Sequence, residues 1–386
     1  MRRKPQGRYV LTTTSGEKVR AFVPDPLPPK PPIDWTPDLV AAQQRAAVAL
    51  GRLDGVSRLL PEPALFLYAY VRKEAVLSSQ IEGTQSSLSD LLAYENDQAP
   101  GVPLDDVAEV SSYVAALDHG LKRMRGGFPL SLRLIREIHK ALLSTGRGHG
   151  KQPGEFRKSQ NWLGGTRPGN AAFVPPPWEE LAASLSAWER FLHGEPVALD
   201  PLTRAALAHV QFESLHPFLD GNGRVGRLVI VLLLIAEGLL SEPMLYLSLY
   251  LKQHRARYYE LLQKVRLEGD WESWLAFFYD GIAETSDNAV ATAERLLKRF
   301  ERDRAKLQAG GKVSGSLLRV HHCLQVRPVA TASAIAKAEG LAIATVNKAL
   351  EQLSAAGLVK ELTGGLRYRL YAYTSVLKIL EEGIQA

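Results

Sequence analysis

The segment LHPFLDGNGRVGR, residues 215–227, places a histidine, an aspartate and two arginines among glycines, between stretches that are otherwise apolar. His216 titrates near neutral pH, so we expect it to accept a proton from a reacting group. Asp220 offers the hard carboxylate oxygen that Mg²⁺ prefers in proteins. Arg224 and Arg227 lie three residues apart, on one face of a predicted helix, and would bind negative charge together.

Gly221 and Gly223 lie where this segment enters a helix that is predicted to begin near Arg224. Glycine lets main-chain N–H groups turn toward a ligand, and a helix N-terminus attracts anions. A glycine loop, two arginines, a carboxylate and a histidine together predict phosphoryl or nucleotidyl transfer from a nucleoside triphosphate. The alternative is a glycine turn between core helices with a structural histidine. His139, His209 and His254 are isolated on predicted helices, and we interpret them as structural or solvated.

Two common nucleotide-binding motifs are excluded. The stretch GNGRVG, residues 221–226, matches the G-x-G-x-x-G pattern of dinucleotide-binding folds, but that pattern must follow a buried strand. Here a predicted helix and His216-Pro217 precede it, and strands and helices do not alternate around it. The sequence also lacks the G-x-x-x-x-G-K-[S/T] pattern of P-loop enzymes.

The elements that position this segment are mostly predicted helices. Apolar residues at helical spacing predict helices over 64–83, 107–124, 130–143 and 203–212. Pro217 would end the last of these, because proline disfavours helical backbone in the residue before it. At the end of the helix predicted over 64–83, Gly83 fits the position that follows a helix C-terminus.

Two stretches are predicted to be non-helical. The glycine- and proline-rich stretch 145–177 interrupts the helices, and residues 161–165 and 171–174 within it are predicted to form two short strands around a turn. The stretch up to Pro32, proline-rich towards its end, is predicted to be a wrapping arm rather than a helix or a central strand.

The C-terminal part resembles a winged helix-turn-helix. Gly310-Gly311 is predicted to be a joint, and three helices and a hairpin are predicted after it. The third of these helices is predicted to bury Val346, Leu350 and Leu353. In a winged helix it would enter a DNA groove with Lys348 facing outward, while Arg367 and Arg369 on the hairpin approach phosphate. A domain that makes only protein contacts is the alternative.

Composition and charge narrow the class of protein. The chain has 386 residues, 46% hydrophobic and 23% charged, which is typical of a globular protein. The single cysteine, Cys323, excludes a disulfide-framed secreted fold. No apolar run long enough for a membrane span and no secretory signal is recognised, so we expect a cytoplasmic protein. From Lys312 onward there are nine Lys and Arg and five Asp and Glu, so +4 of the net charge of +6 lies there and indicates an anionic partner.

Residues 216–227 are similar in every position to the signature His-Pro-Phe-x-Asp-Gly-Asn-Gly-Arg-x-x-Arg of Fic/DOC proteins, which transfer AMP from ATP to hydroxyl side chains. The resemblance covers residues 5–290. It implies that His216 takes the proton of a target Ser, Thr or Tyr hydroxyl and that Asp220 holds Mg²⁺ against the phosphates. It also implies a flap, at residues 158–174, that aligns the target segment by strand pairing. Flanking stretches that resemble the bacterial branch of the family are 153–157, 160–162, 173–177 and 206–213.

The resemblance also implies which residues bind ATP. Tyr258 matches the family's adenine contact, with a packed core aromatic as the alternative. Relatives that phosphorylate carry Lys at the position of Gly223, so this glycine favours adenylyl transfer. The residues expected to bind ATP are Glu82, His216, Gly221, Asn222, Gly223, Arg224, Val225, Gly226, Arg227 and Tyr258.

A second motif lies at the end of the helix predicted over 64–83. Ser78 and Glu82 are neighbours on one helix face, and a carboxylate in the last turn opposes the negative end of the helix dipole. This fits either a cationic partner or a solvated glutamate. Ser-x-x-x-Glu-Gly also resembles the family's inhibitory motif, which implies that Ser78, Glu82 and Gly83 form a brake and that Glu82 pairs with Arg227. In some relatives the same glutamate positions water to remove AMP.

The fold expected from these observations is mainly α: a Fic-fold helical core with a small β-hairpin flap, plus a C-terminal winged helix-turn-helix. The expected domains are an N-terminal helical extension with the inhibitory helix over 1–105, the catalytic core over 106–309 and the winged helix over 312–386. The expected function is protein adenylyltransferase with ATP and Mg²⁺, autoinhibited by Glu82. The alternatives are a nucleotide-sensing DNA-binding regulator and a de-AMPylating hydrolase that uses Glu82. The expected partners are a target protein with an exposed Ser, Thr or Tyr, the chain itself through self-modification or a homodimer, and DNA at the winged helix, with no membrane partner.

Overall fold

The computed structural model describes residues 3–59, 63–96, 102–146, 148–309, 314–364 and 369–384. Most of these residues lie in helices, which confirms the predicted mainly α class. The chain forms two compact units, the first made of Met1–Gly51, Ser112–Pro243 and Tyr250–Glu284, and the second of Arg52–Ser111, Met244–Leu249 and Thr285–Ala386. The domain boundaries expected from the sequence stay a prediction. None of the described helices is long and apolar enough to cross a membrane.

The helices are α1 Pro37–Leu59, α2 Ala64–Ile81, α3 Leu88–Tyr94, α4 Leu104–Arg125, α5 Leu132–Leu142, α6 Trp178–Leu192, α7 Pro201–Leu215, α8 Asn222–Ala236, α9 Ser248–Gln253, α10 Arg255–Glu268, α11 Trp271–Ala309, α12 Gly315–Val326, α13 Ala332–Glu339, α14 Ile343–Ala355 and α15 Thr374–Glu381. The strands are β1 Gly7–Thr14, β2 Glu17–Pro24, β3 Val329–Thr331, β4 Lys360–Glu361 and β5 Leu370–Ala372. The helices predicted from apolar spacing are all present, with ends shifted by a few residues.

Helix α7 is the central helix of the first unit. Asp200 caps its start by accepting the N–H of Thr203, and every side chain from Leu202 to Leu215 is buried. Helix α8 packs along it. A Cβ at Gly226 would lie only 2.9 Å from Glu213 Oε1, so a glycine in α8 permits the close approach of the two helices.

An antiparallel hairpin of β1 and β2 precedes the first helix, where the sequence predicted only an arm. Its turn, residues 15–16, has positive φ at both positions, as tight hairpin turns require. The N–H of Phe22 on β2 donates to the carbonyl oxygen of Val174 at 2.9 Å. Val19 and Ala21 pack with Val174 in a small apolar cluster. The hairpin therefore supports the end of the flap, which is defined here as residues 158–174.

The flap is mostly a loop, and the prediction of two short strands is wrong in extent. Leu163 and Phe173 form one antiparallel bridge, with N···O distances of 2.8 and 3.1 Å. A 3₁₀ turn covers Pro168–Asn170. Gly164 and Gly165 both have positive φ, which turns the backbone away from an extended path directly after Leu163.

In the second unit, the C-terminal residues form α12 to α15 and an antiparallel sheet of order β3-β5-β4. The predicted buried face of α14 is confirmed, since Val346, Leu350 and Leu353 are all fully buried. The predicted joint Gly310-Gly311 and the wing residue Arg367 lie outside the described residues. The winged-helix assignment and its DNA contact stay predictions.

Candidate active site

His216 lies at the C-terminal end of α7 in a left-handed backbone conformation, with φ of 47° and ψ of 58°. Residues other than glycine seldom adopt this conformation, because Cβ crowds the backbone at a cost of about 1–2 kcal/mol. Pro217 follows and cannot continue the helix. The strained turn therefore places an imidazole directly at a helix end. Backbone strain of this kind is common at functional sites.

Arg157, immediately before the flap, holds this helix end in place. Its side chain is buried, and its Nε and Nη2 donate to the carbonyl oxygens of His216 and Leu215 at 3.0 and 3.4 Å. Nη1 donates to Ser159 at 3.0 Å and Nη2 to Pro176 at 2.6 Å. Burial lowers the pKa of Arg157 to about 10, so the guanidinium stays charged at neutral pH. One side chain thus ties the ends of the flap to the turn that carries His216.

Two amide side chains meet the imidazole of His216. The Nδ2 atoms of Asn161 and Asn222 each lie 3.0 Å from its Nδ1. Burial, together with the positive charges of Arg157 and Arg266, lowers the pKa of His216 well below its usual range. The imidazole is therefore neutral at pH 7, which is the form that a proton acceptor needs.

His139 on α5 supports the glycine loop. Its buried ring stacks on Phe218, with ring centroids 3.7 Å apart. Its Nδ1 accepts the N–H of Gly154 at 2.8 Å, so the ring proton lies on Nε2, which donates to the carbonyl oxygen of Asp220 at 3.0 Å. Burial lowers the pKa of His139 to about 4, so this histidine also stays neutral. It binds the backbone of the glycine loop through Nε2 and the backbone of Gly154 through Nδ1.

The loop leads into α8, which begins two residues before its predicted start. Gly221 has a φ of 75° and Asn222 is the first residue of the helix. The first N–H groups of a helix have no intrahelical acceptor, so this end of α8 offers donors to an anion. Arg224 and Arg227, both in the first turns of α8, are buried. The structure thus brings the predicted loop, helix end and arginines into one short region.

The residues present fit a magnesium ion bound together with phosphates. The carboxylate of Asp220 is 41% exposed, and its Oδ1 lies 3.6 Å from Nη2 of Arg224. Among the described residues, no group of three or more His, Cys, Asp and Glu could hold a metal. Mg²⁺ commonly takes one or two carboxylates and completes its shell with substrate phosphates and water. Asp220 can supply that single carboxylate.

Three of the residues expected to bind ATP lie in the core. The side chain of Val225 is fully buried, and Gly226 faces Glu213 across the contact of α7 and α8. Tyr258 is only 1% exposed, and its hydroxyl lies 2.8 Å from Nε2 of His209. This burial favours the packed aromatic that the sequence left open as the alternative for Tyr258.

The residues of the predicted brake belong to the second unit. Ser78 is fully buried within α2, whereas Glu82 is exposed and forms the C-cap of that helix. Gly83 follows with a φ of 100°, as predicted for the residue after a helix C-terminus. The pairing of Glu82 with Arg227 stays a prediction.

Comparison with sequence models of known families gives two matches. The model described as Fic/DOC family N-terminal matches residues 40–122, and the model described as Fic/DOC family matches residues 129–234. The second range contains His216, the glycine loop and both arginines. The chain belongs to the Fic/DOC family.

Curated relatives and solved structures agree with this assignment. "Protein adenylyltransferase Fic" of Drosophila melanogaster is 28% identical over 249 residues, covering 64% of this chain and 46% of that protein. The Drosophila grimshawi protein is 32% identical over 188 residues, covering 48% and 36%. The matches therefore span about half the length of these relatives or less.

Two solved structures share the fold. A Fic family protein from Desulfovibrio desulfuricans G20 superposes with a TM-score of 0.59 at 18% identity, covering 89% of this chain and 98% of that chain. A fragment of Fic-1 from C. elegans has a TM-score of 0.50 at 22% identity, covering 67% and 75%. These similarities show the fold.

Sequence reasoning assigned no role to Arg157 and Asn161 and interpreted His139 only as structural or solvated, although all three hold the Fic signature segment in place. The first two lie in stretches that resemble flanking Fic/DOC sequences, which was the available signal. Arg157 and Asn161 contact His216 at the end of α7, and these residues are 59 and 55 positions away from it in the sequence. Apolar periodicity reports local structure and cannot reveal such contacts.

Proposed function

We propose that this chain is a protein adenylyltransferase that transfers AMP from ATP, with Mg²⁺, to a Ser, Thr or Tyr hydroxyl of a target protein. The observation that carries the proposal is the position of His216, a neutral imidazole at a strained helix end beside a glycine loop and the N-terminus of α8. The curated relatives named protein adenylyltransferase support the class of reaction.

In the proposed reaction, His216 takes the proton of the target hydroxyl as its oxygen attacks the α-phosphorus, and diphosphate leaves. The N–H groups at the start of α8, with Arg224 and Arg227, offset the charge of the phosphates. Asp220 would hold Mg²⁺, which neutralises phosphate charge when bound. Gly223 favours adenylyl transfer over phosphorylation, because it leaves no lysine at this position.

We also propose that Glu82 is a brake on this activity. Its carboxylate lies at the C-cap of α2, where the negative end of the helix dipole disfavours an anion and a cationic partner would stabilise it. The motif Ser-x-x-x-Glu-Gly at residues 78–83 supports the same role. Removal of the carboxylate would then leave the phosphate-binding arginines available to ATP.

Transfer of label from ATP that carries ³²P at the α-phosphate tests both proposals. We expect protein labelling to rise in Glu82→Gly relative to wild type and to vanish in Glu82→Gly/His216→Ala. Glu82→Gln is the matched control for backbone freedom, since it removes the charge without adding a glycine, and it should also raise labelling.

The opposite results separate the alternatives. If no variant incorporates label, the transferase proposal fails, and specific binding of a DNA duplex would favour the regulator. Release of AMP from a modified target, lost in Glu82→Gly, would favour the hydrolase. Equal labelling of wild type and Glu82→Gly would exclude the brake while leaving the transferase intact.

A further inference from the structure

The last turn of α7 is held from a second side by Arg266, near the end of α10. This side chain is buried, and its Nη2 donates to the carbonyl oxygen of Glu213 at 3.3 Å, while its Nε donates to Oγ of Ser214 at 3.1 Å. The last four carbonyl groups of a helix have no intrahelical donor. Arg266 therefore supplies a donor to α7 three residues before His216.

The same guanidinium lies against the flap. Its Cζ is 4.0 Å from the ring centroid of Phe173, well within the range of a cation–π contact. Burial lowers the pKa of Arg266 only to about 10, so the side chain keeps its charge at neutral pH. Phe173 also forms the bridge of the flap, because its N–H and its carbonyl oxygen both bond Leu163. The contact of Arg266 therefore reaches the paired part of the flap rather than its exposed turn.

The two sides of the flap bridge are tied to the end of α7 by different groups. On the side of Leu163, Arg157 bonds the backbone of Ser159, and Asn161 meets the ring of His216. On the side of Phe173, the tie to α7 is the guanidinium of Arg266. Two buried arginines thus bind both the flap and the last turn of α7.

The edge of the flap that an added strand would meet lies beside the bridge. Leu163 directs both its N–H and its carbonyl oxygen to Phe173, so in an antiparallel pair the backbone groups of the neighbouring Trp162 face the opposite edge. A target segment that pairs with this edge has its hydroxyl placed by the position of the bridge. Water needs no such edge to reach the same phosphorus.

We infer that Arg266 is a positioning residue that holds the flap bridge against the end of α7 through the ring of Phe173, and so favours transfer of AMP to a protein hydroxyl over transfer to water. In the reaction with water, its oxygen bonds the α-phosphorus, the bond to the diphosphate oxygen breaks and a proton of the water passes to His216. The products are AMP and diphosphate. The partition between the two acceptors rests on the proposed adenylyl transfer, whereas the contact of Arg266 with the flap does not.

Amide hydrogen exchange measured by NMR tests the contact without activity. Phe173→Leu keeps an apolar side chain, removes the aromatic face and leaves in place the charge of Arg266, which acts on the pKa of His216. Loss of a cation–π contact with a buried guanidinium should speed exchange of the N–H groups of residues 163 and 173 by about 5- to 30-fold. Arg266→Gln should also speed it. Adding Phe173→Leu to Arg266→Gln should then change the rates by less than about twofold, because the contact is already lost.

Arg123→Gln is the matched control. The Cζ of Arg123 lies 3.9 Å from the ring centroid of Phe128, so the same kind of contact is removed outside the flap, and exchange at residues 163 and 173 should not change. Exchange that Phe173→Leu leaves at the wild-type rate would overturn the inference. A full effect of Phe173→Leu in the Arg266→Gln background would overturn it as well.

The partition of AMP gives the second readout. In Glu82→Gly protein with ATP that carries ³²P at the α-phosphate, Phe173→Leu should lower the ratio of label on protein to AMP in solution by about 5- to 30-fold. A general loss of stability would lower both products together and leave the ratio unchanged, and that result would refute the positioning role. If neither product forms in any variant while the exchange rates change as expected, the proposed transfer is refuted and the contact of Arg266 with the flap is supported.

Discussion

Replacing Arg157 by methionine measures how strongly one buried guanidinium holds the flap to the end of α7. Methionine keeps an unbranched stem and removes the donors. Three of the four bonds of Arg157 are 3.0 Å or shorter, and each buried carbonyl that loses its donor costs about 2 kcal/mol. Removal of the buried charge returns about 3 kcal/mol, because burial lowers the pKa from 12.5 to about 10. The free energy of unfolding should therefore fall by about 3 kcal/mol.

Tryptophan fluorescence during urea unfolding measures this loss in the first unit, because all 6 tryptophans of the chain lie in that unit. With a slope of about 1–3 kcal/mol/M, the midpoint should fall by about 1–3 M. Arg45→Met is the control, since Arg45 is 61% exposed and pairs with the 51% exposed Asp280, so it should cost below about 1 kcal/mol. Label transfer should also fall in Arg157→Met, because His216 loses support for its strained turn. Equal midpoints for the two variants would refute the reasoning.

Two further predictions concern the elements that hold the site. The pKa of His139 is about 4 in the folded chain and 6.5 when unperturbed, so its neutral form contributes stability above pH 6.5 that is lost as the pH falls toward 4. Between pH 7 and pH 5, the free energy of unfolding should therefore fall by about 2 kcal/mol less in His139→Gln than in wild type, as measured by urea titrations at each pH. An equal fall in the two proteins would contradict this prediction. Gly226→Ala should destabilise the first unit by about 1–3 kcal/mol, because the new Cβ would lie 2.9 Å from Glu213 Oε1. Gly51→Ala is the control, because a Cβ at this position in α1 would meet open space, and it should be neutral or stabilising by up to about 1 kcal/mol. If Gly226→Ala and Gly51→Ala changed the free energy of unfolding in the same direction, the packing argument would be wrong.

Local signals predicted the helices well. Gly83 ends α2 in the left-handed conformation because no Cβ opposes it, so the residue type itself carries the information. The buried face of α14 follows from apolar spacing in the same way. The signature segment was predicted correctly as a glycine turn that enters a helix, since both glycine content and Pro217 act on the backbone nearby.

Contacts between residues that are distant in the sequence could not be predicted from local patterns. The sequence analysis did not predict strands β1 and β2, because it interpreted this stretch as an arm. The dipeptide Ser15-Gly16, which forms the turn between the two strands, is nevertheless typical of a hairpin turn. Tyr258 resembles an adenine contact in sequence, yet its burial depends on how α10 packs against α7. The role of Asn161 depends on which atoms of Phe218 it meets, and no residue pattern contains that geometry.

His216 is held by groups from three separate segments. Arg157 binds its carbonyl oxygen, Asn161 and Asn222 bind its ring, and His139 holds the loop that follows it. A left-handed histidine persists only where its surroundings fix it, and here two of those groups belong to the flap or its base. A movement of residues 157–161 would therefore change either the backbone turn or the ring of His216. A flap that only covered the site would need neither contact, so the two contacts argue that the flap also fixes the position of His216.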